Sequence, residues 1–384
     1  QAGGALAHDE HGQAAGQSGQ CLAQGRVGGV VQGAGAVVQP AAVLAALGVV
    51  EEVQARGGDD GPHALGDDLA ARSWGGVDKY DRSAGIDKAI ADVASHSLAS
   101  AFVCWGQRSF IEYLLQSPNQ RLREQLMPDL LSGKLAGATG LSNAMKFLSG
   151  IESLQISAEP NDHGWTLNGR LHWVTNLRKN GFVAAAAIEH AGGGAPFILA
   201  IPDSVAGLQR SRDLELLGLQ SSNTAALGLE GVELSREWLL HEDARKFLPA
   251  VRPAFLGLQC GMSIGLARRS LAEVAHHLGA SRTVLRDELE ALRVTLDHLV
   301  SELKNGLLAG RFTAEPIPLF KLRIALAETA ASAVQLELQA SGGKAYLTAH
   351  GSGFARRWRE SAFVPIVTPS LVQLRTELHR QASL

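Results

Sequence analysis

Gly164-Trp-Thr-Leu-Asn-Gly-Arg-Leu-His-Trp-Val-Thr-Asn176 is the stretch on which the fold turns. Two short apolar runs, Trp165-Thr-Leu and Leu171-His-Trp-Val, stand between turn-forming residues, Asn161-Asp-His-Gly ahead and Asn168-Gly within. Such punctuation reads as β-hairpins, because Asn, Asp and Gly accept the positive φ that tight hairpin turns need. The same texture runs from Gly133 to Val232, with Leu154-Gln-Ile-Ser-Ala, Phe182-Val-Ala-Ala-Ala-Ala-Ile and Phe197-Ile-Leu-Ala-Ile as further strands. An antiparallel sheet or small β-barrel is expected there.

On either side the periodicity becomes helical. From Ile86 to Gln116, residues Ile90, Val93, Leu98, Phe102, Trp105, Phe110, Tyr113 and Leu114 recur mostly at three-to-five-residue steps. Pro118-Asn119 breaks the run, and Asn119–Leu131 is a second amphipathic segment with Leu122, Leu126 and Leu130 inward. Beyond Arg236 the chain is helical again. Phe255–Leu278 carries Gly257, Gly261 and Gly265 four apart. That spacing serves dimerisation in a membrane span; here Arg268, Arg269, His276 and His277 favour close helix packing in a soluble core. Leu285, Leu289, Leu292, Leu296, Leu299 and Leu303 form a heptad seam, either a bundle core or an intersubunit contact. Pro316 and Pro318 precede a further long helix, Leu319–Ala340, which Gly342-Gly343 ends. The expected class is α+β: a helical domain at 76–133, a central β domain at 134–236 and a C-terminal four-helix bundle at 237–384.

Composition narrows the function classes. Of 384 residues 46% are hydrophobic and 19% charged, enough to bury a sizeable core. A net charge of −3 argues against nucleic-acid binding. No run approaches the roughly 18 apolar residues of a membrane helix. Cys21, Cys104 and Cys260 are too few and too scattered for a disulfide framework or a four-ligand zinc site, so no metal site is expected. A reducing cytoplasm is the expected compartment, and Gln1 onward shows no signal-peptide pattern. Residues 1–75 stand apart: the first seventy hold 15 Gly and 15 Ala and no Lys, Ile, Phe, Tyr, Met, Asn, Thr or Trp. A low-complexity arm, a Gly-rich nucleotide loop at Gly25-Arg-Val-Gly-Gly, and out-of-frame translation are the competing readings, and no fold or function is assigned there.

The order helix, sheet, helix, with several local strings, resembles the acyl-CoA dehydrogenase superfamily over about residues 86–384. Gly164–Asn176 is similar to the family's W-x-L-N-G-x-K-x-W-I-T-N pattern. Arg121-Leu-Arg-Glu-Gln-Leu-Met-Pro-Asp-Leu-Leu-Ser-Gly-Lys134 resembles the lead into its sheet domain. Leu217-Gly-Leu-Gln-Ser-Ser-Asn-Thr224 resembles L-G-x-R-x-S-x-T. Gln339-Ala-Ser-Gly-Gly-Lys-Ala-Tyr346 resembles Q-x-x-G-G-x-G-Y, and Arg356–Glu360 sits where the family has R-x-x-R-D. The resemblance implies a flavoprotein, binding FAD or alternatively FMN between sheet and bundle. It implies that Trp173 packs near the flavin ring and that Thr175 bonds to its redox-active edge. Thr139, Ser142 and Asn143 fall on the family's flavin and substrate loop, with Thr139 the matching residue. Gln339, Gly342 and Gly343 would approach the pyrophosphate of a neighbouring subunit's cofactor, or else form a helix C-cap.

The implied activity is a flavin-dependent oxidoreductase acting on the CH–CH group of an acyl-CoA or similar thioester. The implied partners are a second or further copies in a homodimer or homotetramer, and an electron-transfer flavoprotein. Two features depart from the pattern. The position of the family's catalytic Glu is Thr368, in Ile366-Val-Thr-Pro-Ser-Leu-Val-Gln373, and an unactivated threonine is no base. The alternative family position falls near Ala254 or Phe255, with Glu242 and Asp243 about three turns earlier. The flavin-anchoring R-x-x-F-G element is missing, with Arg282 a shifted substitute. These departures suit the superfamily's monooxygenases, which take reduced flavin from a separate reductase and oxygenate an aromatic or sulfur compound. Asn143, Trp105 and Gln107, with Ser142, are the candidate pocket residues, and His172, His350 and His379 are available histidines. A third reading is a non-catalytic member that uses the bundle for assembly.

Overall fold

The computed structural model describes residues 79–383, apart from the side chains of 79–87 and of 280 and 281. The readings of the N-terminal segment therefore lie outside the described residues. Helix α1 (Lys79–His96) and α2 (Leu98–Gln116) occupy the region expected as one helical run. The break is at Ser97, whose extended backbone (φ −158°, ψ 115°) and side chain, accepting from Ser100 N, cap α2. Periodicity missed it because the apolar face continues across the cap. Helix α3 (Gln120–Leu131) starts at Asn119, whose side chain accepts from Leu122 N at 3.0 Å, and it buries Leu122, Leu126 and Leu130 as expected.

The sheet follows: β1 (Ala136–Thr139), a short helix α4 (Ser142–Leu148), β2 (Ile156–Pro160), β3 (Gly164–Val174), β4 (Phe182–His190), β5 (Phe197–Pro202), β6 (Leu208–Arg210), β7 (Ala225–Ser235) and β8 (Leu239–His241). Its order is β6-β7-β3-β2-β4-β5-β8, with β1 alongside β4. Three features differ from expectation. The sheet is mixed rather than antiparallel, since both β1 and β2 run parallel to β4. Along that path its end strands β6 and β8 are not neighbours, and β8 lies beyond residue 236. Asn168-Gly169 is no hairpin turn: it lies inside β3, where the register against β7 shifts between Leu167 and Gly169, and Gly169 takes φ +142°. Asn161-Asp-His-Gly does form the β2–β3 hairpin.

Strand β4 shows why an unbroken apolar run makes a strand here. Alternate side chains point to opposite faces. Val183, Ala185 and Ala187 join the core formed with the helices, while Ala184, Ala186 and Ile188 join the core within the sheet. Both faces are dry, so no polar alternation is left.

The C-terminal helices are α5 (Ala244–His277), α6 (Arg286–Leu308), a single turn α7 (Arg311–Ala314), α8 (Pro316–Ser341), α9 (Ser352–Phe363) and α10 (Leu371–Ala382). Helix α5 is the axis, packed against α1, α2, α6 and α8, so helices from both ends of the chain share one hydrophobic core. The leucine seam of α6 is a bundle face: Leu289, Leu296 and Leu303 are buried, and Leu285, Leu292 and Leu299 pack against the same core half-exposed. Gly265 of α5 permits close approach. A Cβ on Gly265 would overlap the Ala91 carbonyl oxygen and come within 2.6 Å of Ala94 Cβ on α1. Gly265→Ala is accordingly expected to lower stability by about 1–3 kcal/mol, the usual cost of overpacking. Equilibrium urea unfolding checks it, and an unchanged midpoint would mean that α1 and α5 can separate at little cost.

Candidate active site

Strand β1 and the end of β3 meet at a single antiparallel bridge, Thr139 to Thr175. Each threonine hydroxyl already has a hydroxyl neighbour. Thr139 Oγ1 lies 2.9 Å from the Tyr113 phenol of α2. Thr175 Oγ1 lies 3.2 Å from Thr224 Oγ1, which is 2.7 Å from Ser222 Oγ. The two threonines are 4% and 5% exposed, whereas the Trp173 indole two residues before Thr175 is 61% exposed. Two buried threonines thus meet at the bridge, and an aromatic ring open to solvent lies two residues away along the chain. Burial pushes the Tyr113 phenol above its ordinary pKa, so it stays protonated.

The backbone that sets this junction depends on Asn176. It leaves β3 with φ +64°, a left-handed conformation that asparagine tolerates. Its side-chain nitrogen donates to Gly137 O at 2.9 Å and to Gln107 Oε1 at 3.0 Å. Gln107 is spent entirely on the scaffold: its nitrogen donates to Leu130 O and Leu135 O, and its oxygen also accepts from Gly137 N. Trp105 is buried, stacked on Phe102, and its indole N–H donates to Phe255 O at 3.2 Å. Asn143 staples its own loop, donating to Glu152 Oε1 and Ser153 O and accepting from Gln155 N. The hydrogen-bond donors of Asn143, Trp105 and Gln107 are thus used within the fold. Ser142 opens α4 and is half-buried.

A second group lies at the C-terminal end of α8. Gln339 is exposed, and Gly342 caps the helix with φ +64° and ψ −156°, a conformation outside the left-handed helical region that glycine adopts without a Cβ clash. A Cβ at Gly343 would meet nothing within 4 Å, so that backbone is open. Arg282 comes to the same turn, its guanidinium donating to Ala340 O beside Gly342. Arg282 is shifted along the chain from the family's position, and the fold sets its guanidinium at the glycine turn.

Thr368 is half-buried between α9 and α10, and its carbonyl accepts from Gln259 Nε2 at 2.9 Å. Asp243, one of the acids nearest the alternative base position, is the N-cap of α5, accepting from Arg245 N and Lys246 N. Phe255 is in the core. His172, His350 and His379 are all exposed. Among the described residues no group of three or more His, Cys, Asp or Glu could hold a metal, and no helix is long and apolar enough to cross a membrane.

No family model matches the chain. Isovaleryl-CoA dehydrogenase of Pongo abelii is 29% identical over 140 residues, which are 35% of this chain and 32% of that protein. The chain spans about a third of the length of the first curated relatives it matches. Among solved structures, an acyl-CoA dehydrogenase from Geobacillus kaustophilus superposes with a TM-score of 0.68 at 16% identity, over 87% of this chain and 93% of that one. The chain therefore has the fold of the acyl-CoA dehydrogenases and is similar to them in sequence over about a third of its length. Dibenzothiophene monooxygenase (TdsC) from Paenibacillus sp. A11-2 has the same fold, with a TM-score of 0.63 at 17% identity over 91% of this chain and 95% of that one.

A flavin, the cofactor that likeness to this superfamily implies, needs an apolar or aromatic face and a few directed hydroxyl or amide groups. The donor set at the β1–β3 bridge is of that kind: two threonine hydroxyls that can each accept one bond and donate another, beside an exposed indole. The open backbone at Gly343 with the Arg282 guanidinium is of the kind that takes a phosphate. The residues fit the group in chemistry.

Proposed function

We propose that this protein is a flavin-dependent oxidoreductase of the acyl-CoA dehydrogenase type, acting on the CH–CH group of an acyl-CoA or similar thioester. The observation that carries the reading is the bridge that sets Thr139 and Thr175 together beside exposed Trp173. When bound, a flavin supplies two-electron redox chemistry that no side chain offers. In this reading Thr139 and Thr175 hold its polar edge and Trp173 covers its face. Gln339, Gly342 and Gly343, with Arg282, serve the phosphates of FAD held by a neighbouring copy, in a homodimer or homotetramer. An electron-transfer flavoprotein is the matching acceptor.

A second reading is favoured by Thr368. Removal of an α-proton needs a positioned base, and Thr368 offers a hydroxyl on a segment whose carbonyl is tied to Gln259. Asp243 is committed to capping α5. That supports a monooxygenase of an aromatic or sulfur compound, supplied by a separate flavin reductase, which needs a dry pocket rather than a carboxylate base. The test is an anaerobic visible spectrum of the flavin-loaded protein during titration with acyl-CoAs. Bleaching by one of them is the expected result for a dehydrogenase. Flavin that stays oxidised throughout, yet is oxidised by oxygen after chemical reduction with a substrate-dependent rate, would replace that reading with the monooxygenase.

A further inference from the structure

Tyr113 has no place in any motif of the chain, yet its phenol, carried on α2, reaches Thr139 at the β1–β3 bridge. Its ring is fully buried and fixed by aromatic neighbours on two helices. The Phe110 centroid lies at 6.3 Å, Phe247 at 6.2 Å and Phe255 at 6.4 Å. A buried tyrosine hydroxyl needs a partner; Thr139 Oγ1 lies at 2.9 Å, and the Ser109 hydroxyl one turn back on α2 is a second neighbour. Two hydroxyls in contact must divide donor and acceptor roles. Either atom can donate at this geometry, and a phenol, the more acidic of the two, is the better donor. A Thr139 hydroxyl that accepts from Tyr113 keeps its own hydrogen free to donate.

We infer that Tyr113 is a positioning residue for the flavin: it donates to Thr139 and so orients the Thr139 hydroxyl as a donor to the cofactor's polar edge. This rests on the proposed flavin site. The geometry supports direction as well as contact. The Phe110, Phe247 and Phe255 rings leave the phenol little freedom, and Thr139 is fixed by the β1–β4 ladder at Ala185 and by the bridge to Thr175. Burial keeps the phenol protonated, so the orientation holds across the working pH range.

The test is a double-mutant cycle read as flavin affinity, with FAD and FMN each titrated against the full-length protein by quenching of flavin fluorescence. Tyr113→Phe removes only the hydroxyl and is expected to weaken binding about three- to tenfold, the scale of one hydrogen bond. Thr139→Val is expected to weaken it at least as much. The double variant should bind no worse than Thr139→Val alone, because the two residues act in series. In a Thr139→Ser background, which keeps a hydroxyl, Tyr113→Phe should weaken binding again and shift the visible spectrum of the bound flavin. A tyrosine serving stability alone would lower the melting temperature and leave affinity and spectrum unchanged; that result overturns the inference. So does a double variant whose loss is the product of the single losses. Wild-type protein that binds neither flavin would overturn the proposed site itself, a distinct failure visible in the first isotherm.

Discussion

Glu337→Ala is expected to cost about 3–5 kcal/mol of folding stability, the range for breaking a buried ion pair by removing one partner. Glu337 on α8 and Arg357 on α9 are both buried. Arg357 Nε donates to the two carboxylate oxygens at 3.2 and 3.0 Å, and a second guanidinium nitrogen also reaches Oε1. Truncating Glu337 leaves the buried guanidinium without its hydrogen-bonded carboxylate, with Glu360 as the remaining charge nearby. That loss is a large fraction of the roughly 5–15 kcal/mol that holds a domain folded. Replacing both residues by leucine should cost less than Glu337→Ala, because no charge is then left unpaired. The pair also bears on the candidate site, since the Gly342–Tyr346 turn lies in the chain between its members. Urea unfolding measures the first effect, and hydrogen exchange at residues 342–346 should report the turn opening in the single variant. A loss below about 1 kcal/mol would mean that water reaches the pair and screens it.

Arg323→Ala is expected to cost about 3 kcal/mol and to release the segment from Val364 to Thr368. Arg323 is 0% exposed on α8. Its Nε donates to Gln259 Oε1 and its Nη2 to Val364 O, both at 2.8 Å, and Gln259 Nε2 donates on to Thr368 O. Truncation removes buried volume and leaves two acceptors short of a donor, each effect worth about 1–3 kcal/mol or more. The loss is partly offset, because burial disfavours this charge and pushes its pKa down. Arg323→Lys keeps the charge but cannot span Gln259 and Val364 together. It should therefore also speed hydrogen exchange in 364–371. Protection there equal to wild type in both variants would show that the segment is held by its apolar contacts instead.

Much of this architecture was legible in the chain, for local reasons. Leu122, Leu126 and Leu130 were readable as one helix face because a helix brings every third or fourth residue to the same side. The β2–β3 hairpin was readable because Asn161-Asp-His-Gly has the chemistry of a turn. Asn168-Gly169 has the same chemistry but sits opposite β7, where it makes a bulge; a two-residue string cannot say which strand will lie beside it. The parallel pairing of β1 and β2 with β4 was illegible for the same reason. Trp173 and Thr175 stood out through a string, and the fold sets Thr139 against Thr175. Gln107, Trp105 and Asn143 looked available in the chain, and the fold uses them to hold backbone.

Helices, then a sheet of short strands, then a helical bundle could be read from the chain alone, as could the likeness to the family and to its motif at Trp173, Thr175 and Thr139. Those are consequences of periodicity and of short strings, both local. It took the folded chain to show that helices before and after the sheet share one core, that Arg282 stands at the Gly342 turn and that Tyr113 reaches Thr139. Those contacts join residues 26 or more positions apart. A contact of that kind depends on how whole elements pack, and packing is settled by the shape and volume of every neighbour at once.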